Sequence, residues 1–133
     1  MHTTNYFGTL ITVSADCPTP DSVVPGKPDS VAGLQYALLS EAPYGLTSDD
    51  VLFEVFARRN DVPEAERDEA RVAFFAKPQA CLRASPLVKS FGWGLHHDAE
   101  GRVALVDRNS ETYAALLADQ RIEKRPGMRS RRG

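Results

Sequence analysis

The sequence predicts a single α+β domain, with a mostly antiparallel sheet and helices packed on one face. A strong hairpin pattern covers residues 91–107, and an amphipathic helical pattern begins at Val31. With 133 residues, 42% of them apolar, the chain suits one hydrophobic core. A hairpin pairs antiparallel and the helices are few, so an all-parallel layered sheet is excluded.

The hairpin carries the only tryptophan. Alternation puts bulky side chains on one face and small ones or a histidine on the other: Phe91, Trp93, Leu95 and His97 against Gly92, Gly94 and His96. Residues 98–101 form the turn, with Gly101 at positive φ. The bare glycines leave room either for a close-packed helix or strand, or for a ligand or a partner's backbone.

The first half of the chain predicts a strand, a loop and a helix. Residues 6–13 alternate weakly and predict the first strand, while four prolines in residues 15–29 predict an extended loop over the domain. Ser30 is a suitable N-cap for a helix that Pro43 ends.

Residues 51–58 are predicted to be a central strand. Thr47 and the residues after it could cap a helix, but the segment is rich in β-branched and aromatic residues and alternates. Both faces are mostly apolar, so Glu54 should be near a sheet margin or paired.

Three further helices follow from cap and proline signals. Pro63 begins a helix whose buried stripe is predicted as Ala65, Val72, Phe75 and Ala76. Ser85 caps a short helix before the hairpin, and the last helix begins after Ser110.

Charge divides the chain into an acidic body, residues 1–119, and a basic tail, residues 120–133. The tail has six Lys/Arg against one Glu, so its charge is +5 and the body has −7 of the total −2. We expect the tail to dock on the body, with Met128 as an apolar anchor. Candidate carboxylates for its arginines, Arg129 and Arg131, are Asp49, Asp50 and Glu54. The alternative is a nucleic-acid-binding arm that contacts phosphates.

Two function classes stay open, and the sequence does not decide whether the protein is an enzyme. The first is a binding module for a small anionic ligand, with a pocket formed by Arg83, Trp93 and His96 together with Glu54 and His2. The second is a cysteine-dependent enzyme that uses Cys81 and His96, provided that the imidazole reaches the thiol.

Other chemistries lack their motifs. Adjacent histidines on a strand point to opposite faces, so His96 and His97 do not converge on a metal without His2, Asp16 or Glu54. Phosphate-binding glycine loops and zinc-protease motifs are absent. We therefore expect no metal and no cofactor.

The sequence favours a cytoplasmic protein that does not span a membrane. Its start lacks the pattern of a signal peptide, and no apolar run reaches 18 residues. Cys17 and Cys81 are expected to be free thiols.

Several motifs together resemble a family of small bacterial and fungal proteins known only as a domain of unknown function. The motifs are Met-His-Thr-Thr-Asn-Tyr-Phe, Thr-Ser-Asp-Asp-Val, Cys-Leu-Arg-Ala-Ser-Pro-Leu, Gly-Trp-Gly and Met-Arg-Ser-Arg-Arg, and they span nearly the whole chain. The resemblance implies no activity, cofactor or catalytic residue.

Overall fold

A computed structural model describes residues 1–130 and contains a four-stranded sheet and five helices. The strands are β1 (Thr9–Thr12), β2 (Trp93–His97), β3 (Val103–Asp107) and β4 (Glu123–Pro126). The helices are α1 (Val31–Glu41), α2 (Ser48–Arg59), α3 (Arg67–Phe75), α4 (Pro86–Lys89) and α5 (Glu111–Ala118). Short 3₁₀ turns cover Glu64–Glu66 and Leu82–Ala84.

The sheet has the strand order β3-β2-β1-β4. β1 and β3 both pair antiparallel with β2, whereas β4 pairs parallel with β1. The predicted α+β class and mostly antiparallel sheet are therefore confirmed. No helix of residues 1–130 is long and apolar enough to cross a membrane.

The main core lies on one face of the sheet, against α1, α2 and α4. Ile11, Leu95 and Val103 project from three neighbouring strands into it, and none of them is exposed. From the helices come Leu38, Leu39, Val51, Val55, Leu87 and Val88. Register explains the shared face, because directly paired residues such as Ile11 and Leu95 point to the same side of a sheet.

Other parts of the protein occupy the space beside Gly92 and Gly94 in the hairpin. A Cβ on Gly94 would lie 2.6 Å from the ring of Tyr113, which α5 presents to the opposite face of the sheet. Gly92 has φ +76, and a Cβ there would meet the carbonyl oxygen of Asp21. The prediction of a close-packed helix or strand is confirmed for Gly94, whereas Gly92 is covered by the loop that contains Asp21.

The predicted central strand at residues 51–58 is wrong, because these residues form α2. Thr47 and Asp50 make a reciprocal capping box, with the Asp50 amide donating to the Thr47 hydroxyl and the Thr47 amide to the Asp50 carboxylate. The α2 side chains with little exposure include Val51, Phe53 and Val55. The cap and burial against α1 outweigh the β propensity of this segment.

The stripe predicted for α3 is also wrong in part. Only Phe75 is buried, while Val72 is 74% exposed. Asp61, at φ 49, follows the C-cap of α2, and the Val62 amide donates to the carbonyl of Ala57. This is a Schellman motif, and it turns the chain so that α3 packs back on α2.

The proline-rich loop lies over the domain, as predicted, and it crosses the hairpin. Trp93 Nε1 donates to the carbonyl of Val23 at 2.9 Å, and the Ser22 hydroxyl donates to the carbonyl of Gly92. Arg108 reaches the carbonyl of Thr19. These hydrogen bonds hold the loop on the hairpin, although the loop has no regular secondary structure.

The N-terminal segment is tied to the start of α2 by one buried carboxylate. Asp49, only 4% exposed, accepts hydrogen bonds from the Thr4 amide, the Thr4 hydroxyl and the Thr3 hydroxyl, each at 2.7 Å. In return the Asp49 amide donates to the side chain of Asn5. We call this cluster of Thr3, Thr4, Asn5 and Asp49 the N-terminal latch.

The basic segment joins the body through its backbone. Residues 123–126 form β4, a strand that no sequence pattern predicts. The domain boundary at residue 119 stays a prediction. The Met128 amide then donates to the carbonyl of Arg83, and the Ser130 amide to the Asp16 carboxylate. Docking through residue 130 is confirmed, and the predicted contact of Arg131 lies outside the described residues.

The carboxylates predicted to receive the tail have other partners. Asp49 belongs to the N-terminal latch, Asp50 pairs with Arg71, and Glu54 pairs with Arg58 and Arg67. Met128 is 45% exposed, so its side chain is a weak apolar anchor. The acidic residue that the tail backbone contacts is Asp16.

Candidate functional site

Polar side chains with unlike chemistry meet where β4 and the Leu82–Ala84 turn come together. The Tyr6 hydroxyl lies 3.1 Å from Cys81 Sγ, and the charges of Arg83 and Arg125 both act on that hydroxyl. Arg125 shares a sheet face with Ile11 through the parallel register of β4 and β1. We call Tyr6, Cys81, Arg83 and Arg125 the Arg83 patch.

A backbone carbonyl, which has no charge, orients the guanidinium of Arg83. Its Nε donates to the carbonyl of Pro126 at 2.7 Å, and its own backbone carbonyl accepts from the Met128 amide at 2.7 Å. No carboxylate within residues 1–130 pairs with it, whereas Arg125 pairs with Glu123 at 2.8 Å. Arg83 is thus fixed through both its side chain and its backbone, and its positive charge has no carboxylate partner within residues 1–130.

Tyr6 stays protonated in this patch. Burial and the hydrogen bond with Cys81 raise the pKa of Tyr6 above its ordinary value, although the charges of Arg83 and Arg125 oppose this. The hydrogen bond between Tyr6 and Cys81 uses one of their two hydrogens, so the pair can donate one hydrogen bond to an anion.

His97 lies behind the patch, inside the core. Its ring meets the ring of Tyr6 edge to face, with centroids 5.6 Å apart. Burial lowers the pKa of His97 to about 4, so the imidazole is neutral at pH 7. Nδ1 lies 3.3 Å from the carbonyl of Leu95, and Nε2 has no hydrogen-bond partner within residues 1–130.

His96 points to the opposite face of the sheet, away from Cys81. Its Nδ1 lies 2.7 Å from the hydroxyl of Tyr44, a residue at φ 56. Burial lowers the pKa of His96, and the charge of Asp98 opposes that shift. The pair predicted for thiol chemistry, Cys81 with His96, is therefore not assembled.

The remaining predicted site residues lie elsewhere. Trp93 uses its indole N–H on the loop and packs on Tyr36, with ring centroids 5.6 Å apart. Partial burial tends to raise the pKa of Glu54, but hydrogen bonds and charges of its two arginine partners lower it overall. The His2 amide donates to the carbonyl of Phe75, at the end of α3.

Of the predicted residues, the structure brings only Cys81 and Arg83 into one patch. Tyr6 and Arg125 were missed, because one was assigned to the first strand and the other to the tail. A strand at residues 123–126 has no apolar alternation that would have indicated it. Within residues 1–130, no three His, Cys, Asp or Glu side chains are grouped to hold a metal ion.

Comparisons with known proteins add the family of the chain and no activity. A family model described as "Family of unknown function (DUF6157)" matches residues 1–133. Neither the curated proteins nor the solved structures gave a match. We therefore infer the function from the geometry of the site.

Proposed function

Because the chain belongs to DUF6157, a family of unknown function, we propose from its geometry that it is a binding module for a small anionic ligand, held at the Arg83 patch. The observation that supports this proposal is the fixed guanidinium of Arg83. Its Nε is engaged by Pro126, and its two terminal nitrogens make no hydrogen bond within residues 1–130. That leaves a planar pair of donors suited to a carboxylate or phosphate group.

The neighbours of Arg83 complete an anion-binding set. Arg125 adds a second guanidinium, whose charge is paired with Glu123, and the hydrogen-bonded pair of Tyr6 and Cys81 has one hydrogen left to donate to an anion. A charged residue and a hydroxyl group are among the few polar groups that fix the orientation of a small ligand in its site. The basic β4 strand thus contributes to the ligand site.

The geometry supports binding better than thiol chemistry. The hydrogen-bond partner of Cys81 is a protonated phenol, which does not act as a base toward the thiol. His96 faces the other side of the sheet and bonds to Tyr44. Nucleic-acid binding by the tail is also less supported, because its backbone is bonded to the body as far as Ser130.

We also propose that the protein works in the cytoplasm, where thiols stay reduced. Cys17 and Cys81 are both free, as expected from the sequence. Labelling of thiols in intact cells, followed by mass measurement, tests this compartment. Two reactive thiols are expected, and a disulfide-linked chain would contradict the assignment.

Titration with acetate and inorganic phosphate tests the binding proposal. NMR signals of the Arg83 side-chain Nε–H should shift and saturate with one of these anions. Arg83→Gln should weaken that anion about ten- to a hundredfold, because a charge-assisted hydrogen bond contributes about 1.5–3 kcal/mol.

Arg59→Gln is the matched control. Arg59 is exposed, lies at the end of α2 and has no ion pair within residues 1–130, so its loss changes net charge equally. Equal weakening by both substitutions would mean diffuse attraction and would overturn the proposal. An unchanged affinity in Arg83→Gln would overturn it as well.

A further inference from the structure

A cleft between the end of α2 and α3 is separate from the Arg83 patch. Its volume is about 760 Å³, within the range of about 300–1,000 Å³ that small-molecule sites occupy. The apolar side chains that line it are Phe56, Val62, Pro63, Ala70, Ala73 and Phe74. The Schellman motif at Asp61 forms one end of the cleft, because it sets the angle between the two helices.

Two aromatic residues, Phe56 and Phe74, line the cleft, and the buried Phe53 packs against both of them without lining it. The ring centroids of Phe56 and Phe74 are 4.8 Å apart, and Phe53 lies 6.2 Å from Phe56 and 5.9 Å from Phe74. Phe56 is 36% exposed although it belongs to this cluster. Aromatic rings attract cations through their quadrupole, and the attraction grows where water is excluded.

The charged residues of the cleft are predominantly acidic. Asp61, Glu66 and Glu69 line it and form no ion pair within residues 1–130, and Lys77 is the single cation among the lining residues. The carboxylates of Glu66 and Glu69 also favour the positive end of α3. Asp68 fulfils that role in the same turn without lining the cleft.

The backbone of Asp61 has a positive φ, which is energetically unfavourable for a residue with a side chain. A residue at positive φ after a helix C-cap is usually glycine, because an L side chain is strained there. Asp61 keeps a carboxylate at the cleft instead. Sequence positions that break a local rule in this way are concentrated at functional sites.

We propose that the α2–α3 cleft binds a small organic cation with an apolar body, such as an aryl or alkyl ammonium ion. The apolar body fills the space between Ala70, Ala73 and the phenylalanine rings, and its ammonium group lies among the unpaired carboxylates. The net negative charge of the lining disfavours an anion of similar shape. This site uses no residue of the Arg83 patch, so each proposal can fail alone.

Titration with benzylammonium, monitored by the methyl NMR signals of Ala70 and Ala73, tests the proposal. Both signals should shift and saturate. Benzyl alcohol and benzoate, matched in shape, should bind more weakly. Glu69→Gln should weaken benzylammonium about two- to fivefold, the range for one exposed charge interaction. Asp68→Asn, its control in the same helical turn, should leave the affinity unchanged.

A pair of space-filling substitutions tests the location. Ala73→Phe should fill the cleft and abolish the shift at Ala70, while Val72→Phe, at a 74% exposed neighbour outside the lining, should leave it intact. Circular dichroism checks the fold of each variant. Equal binding of benzylammonium, benzyl alcohol and benzoate, equal effects of the two charge substitutions, or full binding by Ala73→Phe would each overturn the proposal.

Discussion

Asp49→Ala should release the N-terminal segment from α2. The substitution removes the acceptor of three hydrogen bonds at 2.7 Å. Thr4 is 5% exposed, and its hydroxyl keeps Ser48 as a partner, so its amide is the donor left unpaired. A buried unpaired donor costs about 1–3 kcal/mol, and a hydrogen bond to a charged group contributes about 1.5–3 kcal/mol. We therefore expect a loss of about 3 kcal/mol in the free energy of unfolding.

This loss of unfolding free energy corresponds to a decrease in melting temperature, which calorimetry measures directly. With an unfolding entropy of about 2.1 cal/mol/K per residue, a loss of about 3 kcal/mol lowers the Tm by about 11 °C. Hydrogen exchange adds a local readout, because the Thr4 amide should lose its protection even if the rest of the domain stays folded. Asp49→Asn retains one acceptor oxygen and should lose less.

Asp68→Ala is the control for a change of charge near a helix N-terminus. Asp68 is exposed in the first turn of α3, so its substitution should shift the Tm by no more than about 2 °C, as expected for a surface position. If Asp49→Ala shifts the Tm no further than this control and the Thr4 amide stays protected, the latch does not stabilise the fold.

Three further predictions concern stability. Gly94→Ala should cost about 1–3 kcal/mol, because its Cβ meets the Tyr113 ring, whereas Gly26→Ala, with open space around it, should cost far less; urea unfolding compares them. The unfolded chain protonates His97 near pH 6.5 and the native protein only near pH 4. Stability should therefore fall by up to about 3 kcal/mol as pH decreases through this window, and His97→Gln should flatten the slope. Asp61→Gly should raise stability by about 1 kcal/mol in thermal unfolding, because glycine relieves the positive φ; a decrease would mean that the carboxylate stabilises the turn.

The sequence predicts elements well where a local signal agrees with tertiary packing. The hairpin and α1 are examples, since alternation, turn residues and the Ser30 cap all agree with the structure. Residues 48–59 show the opposite case. Their β-branched and aromatic side chains favour a strand, but the capping box and burial against α1 produce a helix.

The candidate site was harder to predict because its residues are far apart in the chain. Cys81 and Arg83 were singled out, but Tyr6 joins them only through the pairing of β1 with β2 and β4. Trp93 and His96, three residues apart on one strand, point to opposite faces. Strand alternation alone therefore places the two side chains on different sides of the sheet.

The position of β1 between β2 and β4 affects how the chain can be made. The ribosome produces β1 before both of its neighbours, residues 93–97 and 123–126. Until those residues are made, the edges of β1 have no partner, and Leu10 and Ile11, fully buried in the folded domain, stay available to other chains. The sheet is complete only after residues 123–126 have left the ribosome. A chain that ends before them therefore exposes an edge of β1 that can pair with another chain.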